Sequence, residues 1–117
     1  VIYRYADIVL LYAEALNALD RTPEAITELN RTRTRAGENP YYVSDFVSSD
    51  EVLDAILDER QKEFLGEGKR WFDLVRCNRW KEVMQPINGM SDERKVLFPI
   101  HRDHLNQNLN LKQNPGY

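Results

Sequence analysis

From Arg4 to Ala36 the apolar residues recur every three or four positions, with one interruption. That period is the mark of an amphipathic helix. In the first segment, Arg4 to Leu19, the stripe is Tyr5, Ile8, Val9, Tyr12, Ala15, Leu16 and Leu19, with Asp7, Glu14 and Asn17 off it. Asp20-Arg21 forms the interruption. Thr22-Pro23-Glu24 then supplies a capping hydroxyl, a proline pre-set for the first turn and an acid at the helix's positive end. The second segment carries Ala25, Ile26, Leu29 and Ala36 and stops at Gly37. Helices joined by so short a break are predicted to pack as an antiparallel hairpin over residues 1–37.

The rest of the 117-residue chain, a length suited to one domain, extends the helical pattern and then abandons it. Glu38 to Ser48 has no helical period and reads as an ordered loop with Tyr41, Tyr42 and Phe46 packed back on the hairpin. Ser48-x-x-Glu51 is a capping box opening a third helix, whose stripe is Val52, Leu53, Ile56, Leu57, Phe64 and Leu65. After Gly66-Glu67-Gly68, a fourth helix is expected over Lys69 to Lys81 on Trp71, Phe72, Leu74 and Val75, closed off by Pro86 and Asn88-Gly89. Residues 49–81 thus read as a second helical pair. Residues 82–117 form an irregular tail rich in asparagine, with an extended run at Val96–Ile100 and one short helix near Arg102 to Leu105. The predicted class is mainly α.

The hairpin also fits part of the tetratricopeptide pattern. Val9-x2-Tyr12-Ala13-x2-Leu16 places a small residue where two helices cross closely, and Ala25-x3-Leu29 follows at the matching distance. Gly37 stands where that repeat usually has proline.

Composition closes off several functions. Sixteen basic residues against nineteen acidic ones give a net charge of −3, so no strong positive field recruits nucleic acid. Lys69 to Lys81 interleaves five cations with Trp71, Phe72 and Trp80, but these aromatics sit where a helix needs apolar anchors. The longest apolar run, Ile8 to Ala13, is far short of the roughly 20 residues of a membrane helix. A single cysteine, Cys77, excludes an intrachain disulfide and a Cys-rich zinc site. No initiator Met or signal peptide is seen and the chain enters a helix almost at once, as expected of a piece of a longer protein whose targeting or lipidation signal lies upstream.

No catalytic constellation emerges. Glu59, Glu63 and Glu67 share a face at i, i+4 and i+8, a carboxylate spacing that glycosidases use but that any helix with this pattern attains. His101-x-x-His104 beside Asp103 lacks a third ligand at fixed spacing, so neither a metal nor a cofactor is expected. Arg60 and Arg33 are more telling, because both fall on core-facing stripes. A buried guanidinium needs a carboxylate, and Asp73, Glu14, Glu63 and Glu67 are the expected partners.

Several stretches together resemble one family, the SusD/RagB-type proteins. They are Arg4-Tyr5-Ala6-Asp7-Ile8-Val9-Leu10-Leu11-Tyr12-Ala13-Glu14-Ala15-Leu16-Asn17; Leu29-Asn30-x-x-Arg33-x-Arg35-Ala36-Gly37; Glu59-Arg60 with Glu63-Phe64; Gly66-Glu67-Gly68-Lys69-Arg70-Trp71-Phe72-Asp73-Leu74-Val75-Arg76; and Phe98-Pro99-Ile100 with Gln113-Asn114-Pro115-Gly116-Tyr117. His101 and Asn108 depart from the family's tail.

The resemblance implies surface lipoproteins of the outer membrane, about four times this length, that bind glycans or sometimes peptides without catalysis. It also implies a SusC-like TonB-dependent transporter as partner, tetratricopeptide-like helices, and a membrane link only through an upstream lipid anchor. Arg33, Glu59, Arg60, Glu63, Glu67, Arg70, Trp71, Asp73 and Arg76 are then expected to form a structural brace of ion pairs and aromatics, with core packing expected for Phe72. Tyr41 and Tyr42 are the loop aromatics that could face a glycan. A tetratricopeptide-like adaptor binding a partner peptide is the alternative reading, and a glycosidase built on Glu63 and Glu67 is a third.

Overall fold

Six helices follow one another in the structure, a computed structural model that describes residues 3–117. They are α1 (Tyr5–Ala18), α2 (Thr22–Arg35), α3 (Ser49–Glu63), α4 (Arg70–Arg76), α5 (Trp80–Asn88) and α6 (Arg102–Gln107), with 3-10 turns at Val43–Asp45 and Glu93–Lys95. Val1 and Ile2, the start of the opening run, lie outside the described residues. Among the described residues there is no strand, as the mainly α reading requires. The chain divides into two compact units, 1–73 and 74–117.

In the first unit α1 and α2 form the hairpin and α3 packs against both. Each hairpin helix ends in the same way. Arg21 N–H donates to Leu16 O and Asp20 N–H to Asn17 O, with Asp20 left-handed at φ +58°; Glu38 N–H donates to Arg33 O and Gly37 N–H to Thr34 O, with Gly37 at φ +81°. These paired bonds satisfy the last helical carbonyls, and glycine adopts the left-handed turn without steric cost. The start of α2 differs from expectation. Arg21 occupies the N-cap, with no side-chain bond, and Thr22-Pro23 lie inside the first turn. The Thr22 hydroxyl is therefore not the cap. Ser48 does cap α3, its hydroxyl accepting from Glu51 N–H, while the Glu51 carboxylate accepts from Val47 N–H, one residue earlier than in a standard capping box.

The core is Leu10, Ala13, Ile26, Leu29, Val52, Ile56 and Phe64, with Ala6, Tyr41, Phe46 and Ala55 packed against it. Ala13 and Ala25 are wholly buried, which lets the hairpin helices approach closely. The buried face of α1 corrects the predicted stripe. It consists of Asp7, Val9, Leu10, Ala13, Leu16 and Asn17, whereas Tyr5, Ile8, Tyr12 and Leu19 are exposed. The helix is turned by roughly a third of a revolution, about one residue's rotation, from the amphipathic expectation. The reason is local pairing: Asp7 meets two cations and Asn17 Nδ2 donates to Ser49 O at 2.8 Å, so both polar groups are satisfied inside.

The single fourth helix expected over Lys69 to Lys81 is two helices. Arg79 N–H donates to Leu74 O at 2.8 Å and Asn78 N–H to Val75 O at 3.1 Å, with Asn78 left-handed at φ +55°. Asparagine tolerates that turn, so it ends α4 as Gly37 ends α2. Helix α5 then contains Pro86 instead of stopping before it, and closes on left-handed Gly89. In the second unit the buried apolar residues are Leu74 and Trp80.

The tail is pinned by amide side chains. Gln113 accepts from Ile100 N–H at 2.8 Å and donates to Ile100 O at 3.0 Å, copying a strand partner, and Asn114 Nδ2 donates to Phe98 O at 2.7 Å. Gly116, at φ +99°, passes so close to the 3-10 turn that a Cβ there would lie 3.1 Å from Arg94 Cβ.

Candidate functional site

The chemistry-bearing residues of the first unit collect into two buried ion-pair nodes and a more exposed cluster, all built around α3. At the first node Arg33, projecting from α2, donates to the Glu59 carboxylate at 3.0 Å and to Asn39 O at 2.9 Å, with Glu38 at 3.7 Å. Both Arg33 and Glu59 are buried. The guanidinium carbon stands 3.9 Å above the Tyr41 ring centroid, within cation–π range. Asn30 holds that tyrosine's backbone from both sides, accepting from Tyr41 N–H and donating to Tyr41 O at 2.8 Å each.

At the second node Arg60 donates to Asp73 at 2.8 Å and to Asp7 at 3.0 Å. Lys69 also pairs with Asp7. Asp73 was among the expected partners of Arg60, while Asp7 was not, because the helical period put it on a solvent face. Burial pushes the Asp7 carboxyl up, but Lys69 and Arg60 outweigh it and hold the group below the usual carboxylate range.

The exposed cluster joins Arg4 to Glu63 at 2.9 Å and to Glu67 at 2.7 Å, with Arg35 also on Glu63. Burial raises Glu63, and bonds from Arg35 and Arg4 more than offset this; Arg4 likewise lowers Glu67. The buried ring of Phe64 lies between the nodes, with Arg4, Arg60 and Lys69 cations 4.9, 5.0 and 4.5 Å from its centroid. Glu59, Glu63 and Glu67 therefore all face guanidinium or ammonium groups. Carboxylates held ionised by fixed cations make poor proton donors, so a glycosidase acid has no candidate among them.

The remaining predicted residues are spread around this centre. Arg70 donates to Leu57 O at 2.8 Å and lies 3.6 Å from Asp58. Trp71 is half-buried and Arg76 exposed. Phe72, expected in the core, is 62% exposed, because the short α4 turns that position outward. Tyr41 has one ring face under Arg33 and meets Phe46 edge-on at 5.2 Å, whereas Tyr42 is 64% exposed. A groove of about 340 Å³ is lined by Arg4, Tyr5, Arg31 and Arg35 among others. Its cations are engaged, Arg31 with Glu28 and with the Tyr5 hydroxyl. His101 Nδ1 accepts from Asp103 N–H at 3.3 Å, capping α6. Among the described residues no three His, Cys, Asp or Glu groups converge as a metal site, and no helix is long and apolar enough to cross a membrane.

Helical hairpins with a small-residue crossing, locked by buried Arg–carboxylate pairs, define a tetratricopeptide-like scaffold. The comparison with known proteins gives it a family. The SusD family pattern matches residues 1–94, and this chain belongs to that family. It is 45% identical to SusD-like protein P38 of Formosa agariphila, over 100% of this chain and 24% of that protein. It is 36% identical to SusD-like protein P2 of the same bacterium, over 97% of this chain and 25% of that protein. Among solved structures, a SusD superfamily protein of Bacteroides vulgatus superposes with a TM-score of 0.85 at 27% identity, over 99% of this chain and 27% of that one. A SusD homolog of Bacteroides thetaiotaomicron gives a TM-score of 0.83 at 36% identity, over 97% of this chain and 25% of that one. The chain thus spans about a quarter of the length of the relatives it matches.

Proposed function

We propose that this chain is the C-terminal helical part of a non-catalytic, glycan-binding subunit of an outer-membrane nutrient-uptake complex. Its partner is a SusC-like TonB-dependent transporter, and its membrane link is a lipid anchor upstream of these residues. The observation that carries this reading is the 45% identity to a SusD-like protein over the whole chain. Within the subunit, residues 1–117 act mainly as scaffold. Arg33, Glu59, Arg60, Glu63, Glu67, Arg70, Trp71, Asp73 and Arg76 form the brace, and sugar contact falls to aromatic platforms elsewhere. Support for the scaffold role comes from the pairing of the carboxylates and cations around α3, which leaves them little freedom to meet a ligand. Tyr42 is the loop aromatic exposed enough to stack on a sugar, while Tyr41 shares its ring face with Arg33.

The test is mass spectrometry of the full-length protein isolated from its own cells. A lipidated N-terminal cysteine and a co-purifying β-barrel transporter are the expected result. An unlipidated chain arriving with cytoplasmic proteins would overturn the reading and favour the peptide-binding adaptor. Replacing Tyr41 and Tyr42 together by Ala in the full-length protein should weaken glycan affinity if this loop contacts sugar. Unchanged affinity in a titration removes both residues from the site.

A further inference from the structure

Helix α1 has no face suited to water. One arc, with Leu10, Ala13 and Leu16, is buried against α2 and α3. The neighbouring arc carries Tyr5, Ile8, Tyr12, Ala15 and Leu19, spaced three, four, three and four residues apart, and it is exposed. Tyr5 is 71%, Ile8 56%, Tyr12 50% and Leu19 67% exposed. The helix's polar side chains do not interrupt this stripe: Asp7 and Asn17 are buried on the other arc and Glu14 is half-buried. A helix that is apolar all round is normally covered on every side, and a contiguous exposed apolar stripe marks a packing surface.

We infer that this stripe is the seat of a second helical hairpin supplied by the same polypeptide from outside residues 1–117. Two observations select that occupant. The relatives that align over this whole chain are about four times as long, so most of such a polypeptide lies elsewhere. The α1–α2 pair is also a tetratricopeptide-like hairpin, and a unit of that kind cannot bury both its apolar faces alone; stacking on a neighbouring hairpin buries the second. The stripe carries no charge, which fits an apolar helix face better than an acidic peptide or a lipid headgroup surface. Tyr5 already has a hydroxyl partner in Arg31, so only the Tyr12 hydroxyl would need one from the incoming helices. The inference rests on the family assignment and not on glycan binding, so a failed affinity titration leaves it standing.

The experiment uses the full-length polypeptide that carries these residues, with Tyr12→p-benzoylphenylalanine as a photo-crosslinking probe. After irradiation and digestion, mass spectrometry should find the main adduct within the same chain, on a peptide outside residues 1–117. Adducts confined to residues 74–117, to a second copy, to a different protein, or absent altogether would overturn the inference. Hydroxyl-radical footprinting of the unsubstituted polypeptide guards against a folding artefact. Tyr12 and Ile8 should be protected at least about threefold relative to the urea-unfolded chain, and any smaller protection counts against a covered stripe.

Discussion

Arg60 is the residue on which the first unit depends most heavily. Its guanidinium is 4% exposed and is shared between Asp7 and Asp73, which are themselves buried. Removing the cation while keeping both carboxylates leaves uncompensated buried charge, a loss of about 3–5 kcal/mol. Arg60→Met should lower the unfolding free energy by that amount in urea titrations, whereas Lys62→Met, on the exposed side of α3, should change it by less than about 0.5 kcal/mol. The same node sets a pH dependence. Asp7 and Glu63 both ionise more readily in the folded chain than at their ordinary values of 3.8 and 4.5. The unfolded chain therefore takes up protons first on acidification. Their contribution to stability is whole above about pH 4.5 and is lost as the pH falls through the lowered folded values. Urea midpoints should be flat from neutrality to about pH 5 and fall progressively below pH 4, less steeply in Asp7→Asn than in the parent chain.

Helix ends in this chain are set by single residues with definite backbone demands. Gly37 closes α2 in a left-handed turn with open space where a Cβ would go, so Gly37→Ala adds strain and no clash. That strain is about 1 kcal/mol, and Gly37→Asn, which tolerates the left-handed region, should cost less. Ser48→Ala should cost a similar amount, about 1 kcal/mol, because Glu51 N–H loses its acceptor at the first turn of α3. Thermal unfolding of the three variants checks both statements, and no loss on Gly37→Ala would mean the turn can be rebuilt without a positive φ. Asn78 performs the same task for α4, and its presence is why a periodic stretch from Lys69 to Lys81 is broken in two.

For the molecule as a whole, the two units differ in what holds them. The first encloses a three-helix core with charged nodes beside it, while the buried apolar residues of the second are Leu74 and Trp80. The segment from 98 to 114 is tied instead by amide bonds such as Gln113 to Ile100. Amide hydrogen exchange should accordingly be slowest in α1, α2 and α3 and faster by orders of magnitude in residues 90–117, where few apolar groups must be exposed for opening. Uniform protection across all six helices would contradict that ranking.

The sequence by itself determined the helical class, the hairpin, the glycine and serine signals at most helix ends, and the family. These depend on local period, on turn chemistry and on long residue strings, all of which a single chain displays. Gly37, Ser48 and the short helix at Arg102–Gln107 were legible for that reason. Tertiary structure decided which face of α1 is inside. Period alone treats Asp7 and Asn17 as solvent-facing, but Asp7 meets Arg60 and Lys69 from more than fifty residues away, and Asn17 meets the start of α3. Once those polar groups are paired, Leu10 and Ala13 fill the core while Tyr5, Ile8 and Tyr12 turn outward. Burial of a polar group is governed by the partner that arrives through space, and no local pattern records that partner.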